Sequence, residues 1–286
     1  MVYSRNVTVW CPSKTPPEIV GGFYQHGNVS IATLHNWLQI VLVTTDSWHL
    51  FYSDENGEQA TRPDPLDSES AEPLPLGHYV VLSIGLQRVQ VTLTTERHRP
   101  RTLSMDNTGT NRTNAFRTRA CHIFAKAHKD VWTLLEMSRF ITDDASESDQ
   151  GPDSINSVQN GLLLDPATHY GFDSYQFGVN PDDNYKMTEF AFRGGRLDGR
   201  SLYINQNVDA KYRPSPDLLR EHFRQCVLAN VKGNGRPAED FFDPEEDHDL
   251  NNTAVWTYRS GGDPDQPSRL ELEVRSRLVG DSFISV

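Results

Sequence analysis

The apolar positions of this 286-residue chain change period several times, and each change predicts an element. Within the first hundred residues they alternate, as on a half-buried strand, at Val7-Thr8-Val9-Trp10, at Tyr79-Val80-Val81-Leu82 and at Val89-Gln90-Val91-Thr92-Leu93. Between the first two, Ile31, Leu34, Leu38 and Val41 recur at helical spacing, and Ser30 stands where a capping hydroxyl is wanted. Residues 54 to 77 are rich in Pro, Asp, Glu and Ser and have no apolar period, which predicts an exposed loop.

The stretch MDNTGTNRTNAFRTRA at 105 to 120 is polar and breaks the pattern. It is read as a linker between a β-rich N-terminal lobe with one helix, residues 1 to 104, and a second region, residues 121 to 286. In that second region Cys121 to Phe124 reads as a strand, His128 to Phe140 as a helix, and 143 to 153 as an acidic loop. Asn160-Gly161 predicts a turn and Leu162 to Leu164 a short buried segment, while Asp165-Pro166 opens a helix that carries His169 and Asp173. Ser215-Pro216 opens another helix, with Leu219, Phe223, Cys226, Val227 and Asn230 on one face and Gly233 at its end. The acidic run at 239 to 250 reads as a solvated loop, and LELEVRSRLV at 270 to 279 as a final strand. The expected fold class is therefore α+β.

Composition narrows the function classes. Five Trp, thirteen Phe and ten Tyr supply enough large apolar surface to order the chain despite a mean hydropathy of -0.59. No stretch approaches the length of apolar sequence that a membrane helix needs, and the N-terminus lacks the blocks of a signal peptide, so no membrane role and a cytoplasmic or nuclear location are expected. Cys11, Cys121 and Cys226 are three in number and far apart, which indicates neither a disulfide framework nor a Cys-based zinc motif.

The net charge of -12 opposes phosphate binding, because nucleic-acid-binding surfaces are usually basic. The charge is uneven. From Arg97 to Lys129 there are eight Lys/Arg against Asp106 alone, a local balance of +7 that leads into His122. Such a strip serves as a phosphate track or as an ordinary solvated loop, and both readings stay open.

The chemistry-bearing residues cluster downstream. On the predicted helix His169 and Asp173 are four apart, so they share a face and are placed to hold one divalent cation between imidazole and carboxylate. Read without company, the pair is an ordinary ion pair, and His122 between Cys121 and Ile123 is an ordinary core histidine. The company is Cys121-His122-Ile123-Phe124 upstream and Asn160 nine residues before His169.

With these residues in view, the chain resembles HNH endonuclease-like proteins of fungal type, within the ββα-metal nucleases. The resemblance is carried by CHIFAKAH at 121 to 128, by INSVQNGLLLDPATHYGFDSYQFGVNPDDNYKM at 155 to 187 and by LLREHFRQCVLANVKGNGRP at 218 to 237. The segment VGGFYQHGNVSIATLHNWLQIVLV near the N-terminus also looks like the lobe that precedes the core in such proteins. The resemblance implies that His122 is the general base that activates water, that Asn160 holds the loop and orients that base, and that His169 and Asp173 bind Mg2+ or another divalent cation.

Two departures from the family pattern stand out. The hairpin that usually precedes the first His is shortened to Ala115 to Ala120, and Cys121 occupies a position where a hard ligand is common, although a thiolate suits Mg2+ poorly. Two enzymatic functions follow, beside a catalytically silent binding protein for which acidity is the sole positive sign. One is metal-dependent phosphodiester hydrolysis with nucleic acid as partner. The other is an HNH scaffold repurposed as a small-molecule hydrolase, isomerase or cyclase of secondary metabolism, with His122 and His169 as metal-free acid and base and with Trp132, Tyr170 and Tyr175 lining a cavity.

Overall fold

The computed structural model describes residues 5–101, 119–191 and 195–235. Most of the expected linker, the acidic run at 239 to 250 and the strand at 270 to 279 lie outside the described residues.

In chain order the elements are β1 (Val7–Cys11), β2 (Glu18–Phe23), α1 (Ile31–Val41), β3 (Leu42–Val43), β4 (His49–Tyr52), β5 (Gly77–Leu82) and β6 (Thr92–Leu93). They continue with β7 (Arg119–His122), α2 (Lys129–Leu134), α3 (Glu147–Gln150), β8 (Gly161–Leu164), α4 (Pro166–Asp173), β9 (Phe177–Asn180), β10 (Lys186–Glu189) and α5 (Pro216–Asn230). The fold is α+β. The described residues form two compact units, one from residues 5–100, 175–191, 195–201 and 223–235, the other from 101, 119–174 and 202–222.

In the first unit β1 pairs antiparallel with β2 and parallel with β5, and β4 closes the sheet in the order β2-β1-β5-β4. The alternation in β1 buries Val7, Val9 and Cys11 completely. Helix α1 starts where expected, with the Ser30 hydroxyl accepting the Thr33 N–H at 3.1 Å. Its apolar stripe joins the core, where the Trp37 ring meets Phe23 edge-on at 5.1 Å. From α5 the same core receives Phe223, Cys226 and Val227. Close approach of α5 to β9 needs Gly178, because a Cβ there would lie 2.8 Å from Phe223 and 3.0 Å from Cys226.

Two expectations in this unit change. Residues 54 to 77 are indeed without helix or strand before β5, yet Leu66 and Leu74 are buried and pinned by backbone bonds to Leu50 and Val29, each 2.8 Å. The strand expected at Val89 to Leu93 shrinks to the two residues of β6. Val89 and Val91 are buried, but the backbone of Gln90 is engaged by side chains, its N–H by Asp46 at 3.1 Å and its carbonyl by Thr44 at 2.7 Å.

In the second unit β7 and β8 pair antiparallel, with Cys121 opposite Leu162 and His122 opposite Gly161, and α4 follows β8. The single helix expected over His128 to Phe140 is broken into a 3-10 turn at Lys126–His128, then α2, then a second 3-10 turn at Met137–Phe140. Its inward residues explain the break. Trp132 and Met137 are buried while Leu134 is 79 % exposed, and positions five apart do not share a helical face. Glu136, at φ 51°, resets the backbone so that Met137 turns inward.

Candidate functional site

His122 ends β7, where strand pairing fixes its backbone. One ring nitrogen, Nε2, is buried and has no hydrogen-bond partner among the described residues. Burial, reinforced by the charges of Lys126 and Arg101, lowers the imidazole pKa to about 4, against the pull of a hydrogen bond with Asn156 and of the Asp173 charge. The ring is therefore neutral at physiological pH.

Asn160 is fully buried and holds the chain beside this strand end. Its Oδ1 accepts the Phe124 N–H at 2.7 Å, and its Nδ2 donates to the carbonyls of Phe124 at 3.1 Å and Ile155 at 2.9 Å. Its own carbonyl accepts the Ile123 N–H at 3.0 Å. An amide is the side chain that both gives and receives, so one residue satisfies a loop that would otherwise bury unpaired backbone.

Helix α4 supplies the acid and the second imidazole. Asp165 caps it by accepting the N–H groups of Ala167 and Thr168 at 3.0 and 3.1 Å, and Pro166 fits the first turn. One turn apart on that helix, His169 Nε2 lies 3.1 Å from Asp173 Oδ2. The other oxygen of Asp173 is 2.8 Å from the Arg101 guanidinium and receives the Cys121 thiol at 3.6 Å. Burial pushes the Asp173 pKa up, but the Arg101 charge and the bonds from His169 and Cys121 outweigh it and hold the carboxyl below its usual range. Cys121 moves the other way. Burial and the neighbouring carboxylate push its thiol well above the ordinary value.

Arg101 links these groups. Besides Asp173 it donates to the backbone carbonyls of His122 and of Ile123, the latter at 2.9 Å, so it bridges the end of β7 and the end of α4. Next to Asp173 on α4, Phe172 stacks face to face on His222 with centroids 3.6 Å apart, and His222 Nε2 bonds to the Phe172 carbonyl at 3.1 Å.

Of the residues singled out by sequence, His169 and Asp173 meet directly, and Asn160 sits in the loop that anchors the strand end after His122. Two aromatic residues expected around a cavity have other duties. Tyr175 belongs to the core of the first unit, where its hydroxyl donates to the Arg99 carbonyl at 2.9 Å, and Trp132 is wholly buried, with its indole N–H bonded to the Asp153 carbonyl at 2.9 Å. Sequence reading missed Arg101 as a member of the site and discounted Cys121. The basic strip before His122 was the one available signal for Arg101.

Cys121 Sγ, His169 Nε2 and a carboxylate oxygen of Asp173 all lie within 4.8 Å of one another. The three side chains are donor types that hold a divalent cation, with His169 at one oxygen of Asp173 and Cys121 at the other. No helix among the described residues is long and apolar enough to cross a membrane.

Residues 102–180 match the family model described as HNH endonuclease, a stretch that contains Cys121, His122, Asn160, His169 and Asp173 and begins one residue after Arg101. No curated protein and no solved structure matches the chain.

Proposed function

We propose that the HNH-like core of this chain, residues 102–180, hydrolyses phosphodiesters in nucleic acid, with His122 as the general base and with a divalent cation held by His169, Asp173 and Cys121. The observation that carries the reading is the Nε2 of His122, without a hydrogen-bond partner among the described residues, on a ring that stays neutral at physiological pH. A neutral imidazole with a free lone pair takes a proton from an attacking water.

Each neighbour has a part in this scheme. Asn160 fixes the backbone on the far side of His122 through Phe124, so the ring is presented from a rigid strand end. Cys121, a soft donor, argues for an ion of the zinc or late-transition class in place of the Mg2+ that the resemblance implies. When bound, such an ion polarises a phosphate oxygen and stabilises the leaving oxygen. Arg101 adds a fixed positive charge beside the carboxylate and ties the end of β7 to α4.

One observation also favours the small-molecule reading. A guanidinium already paired with Asp173 gives His122 a charged, metal-free setting for acid-base work on a small anionic substrate, the sort of chemistry expected of a repurposed HNH scaffold. Chelation separates the two. Nicking of plasmid DNA that is abolished by a chelator and restored by Zn2+, Mn2+ or Co2+ supports the nuclease; no nicking with any of these ions leaves the small-molecule reading in its place.

A further inference from the structure

The buried cation of this site is a side chain. The Arg101 side chain is 5 % exposed and that of Asp173 9 %, and the pair is drawn from distant parts of the second unit, position 101 and the end of α4 at 173. The guanidinium is oriented as well as paired. It spends one arm on the Ile123 carbonyl and the other on the His122 carbonyl and Asp173, with its carbon 5.6 Å from the centroid of the Phe172 ring. It therefore cannot withdraw from Asp173 without also leaving two backbone acceptors at the end of β7.

The same carboxylate is the centre of the three-donor set, touching His169 with one oxygen and Cys121 with the other. A divalent ion there has to sit within a few ångströms of a guanidinium that neutralises the anionic member of its ligand set. It also has to displace the proton from the Cys121 thiol. Like charges in a poorly solvated site repel strongly, so guanidinium and metal are rivals for one carboxylate.

We propose that Arg101 is a built-in competitor for the metal site, so that the protein as folded holds divalent cations weakly and Arg101 sets the threshold for occupancy. The inference rests on the three-donor site of the proposed function and concerns how that site is filled, whatever reaction follows. Arg101 acts through Asp173 and is a positioning residue.

Cobalt titration of the full-length chain tests it. Co2+ reports its own ligands, because a thiolate bound to it gives a charge-transfer absorption. Arg101→Met is expected to bind Co2+ at least about tenfold more tightly than the parent protein, a typical size for coupling between two ligands of one site. The charge-transfer band should be strong in this variant and absent from its Cys121→Ser counterpart. Arg101→Lys, which keeps the charge and loses the fork, should fall between parent and Met variant. Should Arg101→Met fold poorly, added Zn2+ is expected to restore cooperative unfolding and raise its Tm by more than it raises the parent's. Equal Co2+ affinity in parent and Met variant overturns the inference, as does weaker binding by the variant or an unfolded variant that Zn2+ does not rescue. Binding is read without cleavage, so tight cobalt binding by a variant whose parent never cuts DNA sinks the nuclease reading and leaves this inference standing.

Discussion

The Asn160 side chain brackets Phe124, accepting its N–H at 2.7 Å and donating to its carbonyl at 3.1 Å. A side-chain amide here does the work of a strand partner, and it does so two residues beyond His122. Replacing it by Ala removes three buried hydrogen bonds, one from the Phe124 N–H and two to the carbonyls of Phe124 and Ile155. Asn160→Ala should destabilise the protein by about 3 kcal/mol, measured by denaturant unfolding followed by circular dichroism; a loss within error of zero means that water or a neighbour takes over these bonds.

The Arg101 and Asp173 pair predicts a thermodynamic asymmetry. Removing either partner alone strands a buried charge, which costs about 3 to 5 kcal/mol. The double replacement Arg101→Met with Asp173→Leu should recover most of that loss, because two apolar side chains remove both desolvation penalties. A double-mutant cycle in metal-free buffer reads the coupling directly, and additive losses contradict a mutual pairing.

Acid stability should report His122. Its folded pKa of about 4 lies below the ordinary 6.5, so between these values the unfolded chain holds a proton that the native ring refuses. Stability is then complete above pH 6.5 and falls as the pH drops toward 4, by about 3 kcal/mol for a shift of this size. Below that range Asp173, whose pKa is lowered as well, adds its own loss as it protonates. His122→Asn should flatten the upper part of the curve, and an unchanged pH profile in that variant assigns the acid sensitivity elsewhere.

Packing of α5 on β9 gives a prediction remote from the site. At Gly178 a methyl group meets Phe223 and Cys226 inside ordinary contact distance. Gly178→Ala should cost about 1 to 3 kcal/mol, visible as a lower denaturation midpoint, whereas alanine at exposed Gly85 should change it little.

Much of this arrangement was legible in the sequence where the cause is local. Ser30 and Asp165 announce their helices because a cap needs only the next three residues, and the i,i+4 pair of His169 and Asp173 follows from the period of one helix. What stayed hidden depends on distant partners. β2 gives no strand signal because Gly21 and Gly22, poor strand formers, interrupt its short apolar run EIVGGF. The helix expected over 128 to 140 is broken because the buried Trp132 and Met137 are five apart and cannot share one helical face. Arg101 had no local signature at all, since its partners lie at 122, 123 and 173, and within the basic strip it looked like any other arginine. Cys121 gives no local sign of its part, because only the fold brings Asp173 to its sulfur.

The role given to His122 meets its most direct test in cleavage rates. Plasmid DNA at low salt, with Zn2+, Mn2+ or Co2+ supplied, is incubated with the parent protein and with His122→Ala at equal concentrations, the variant's fold being checked by circular dichroism. The parent should convert supercoiled to nicked DNA, and the folded variant should lose at least about a hundredfold in rate, the usual worth of a positioned general base. A folded His122→Ala that nicks as fast as its parent contradicts the account.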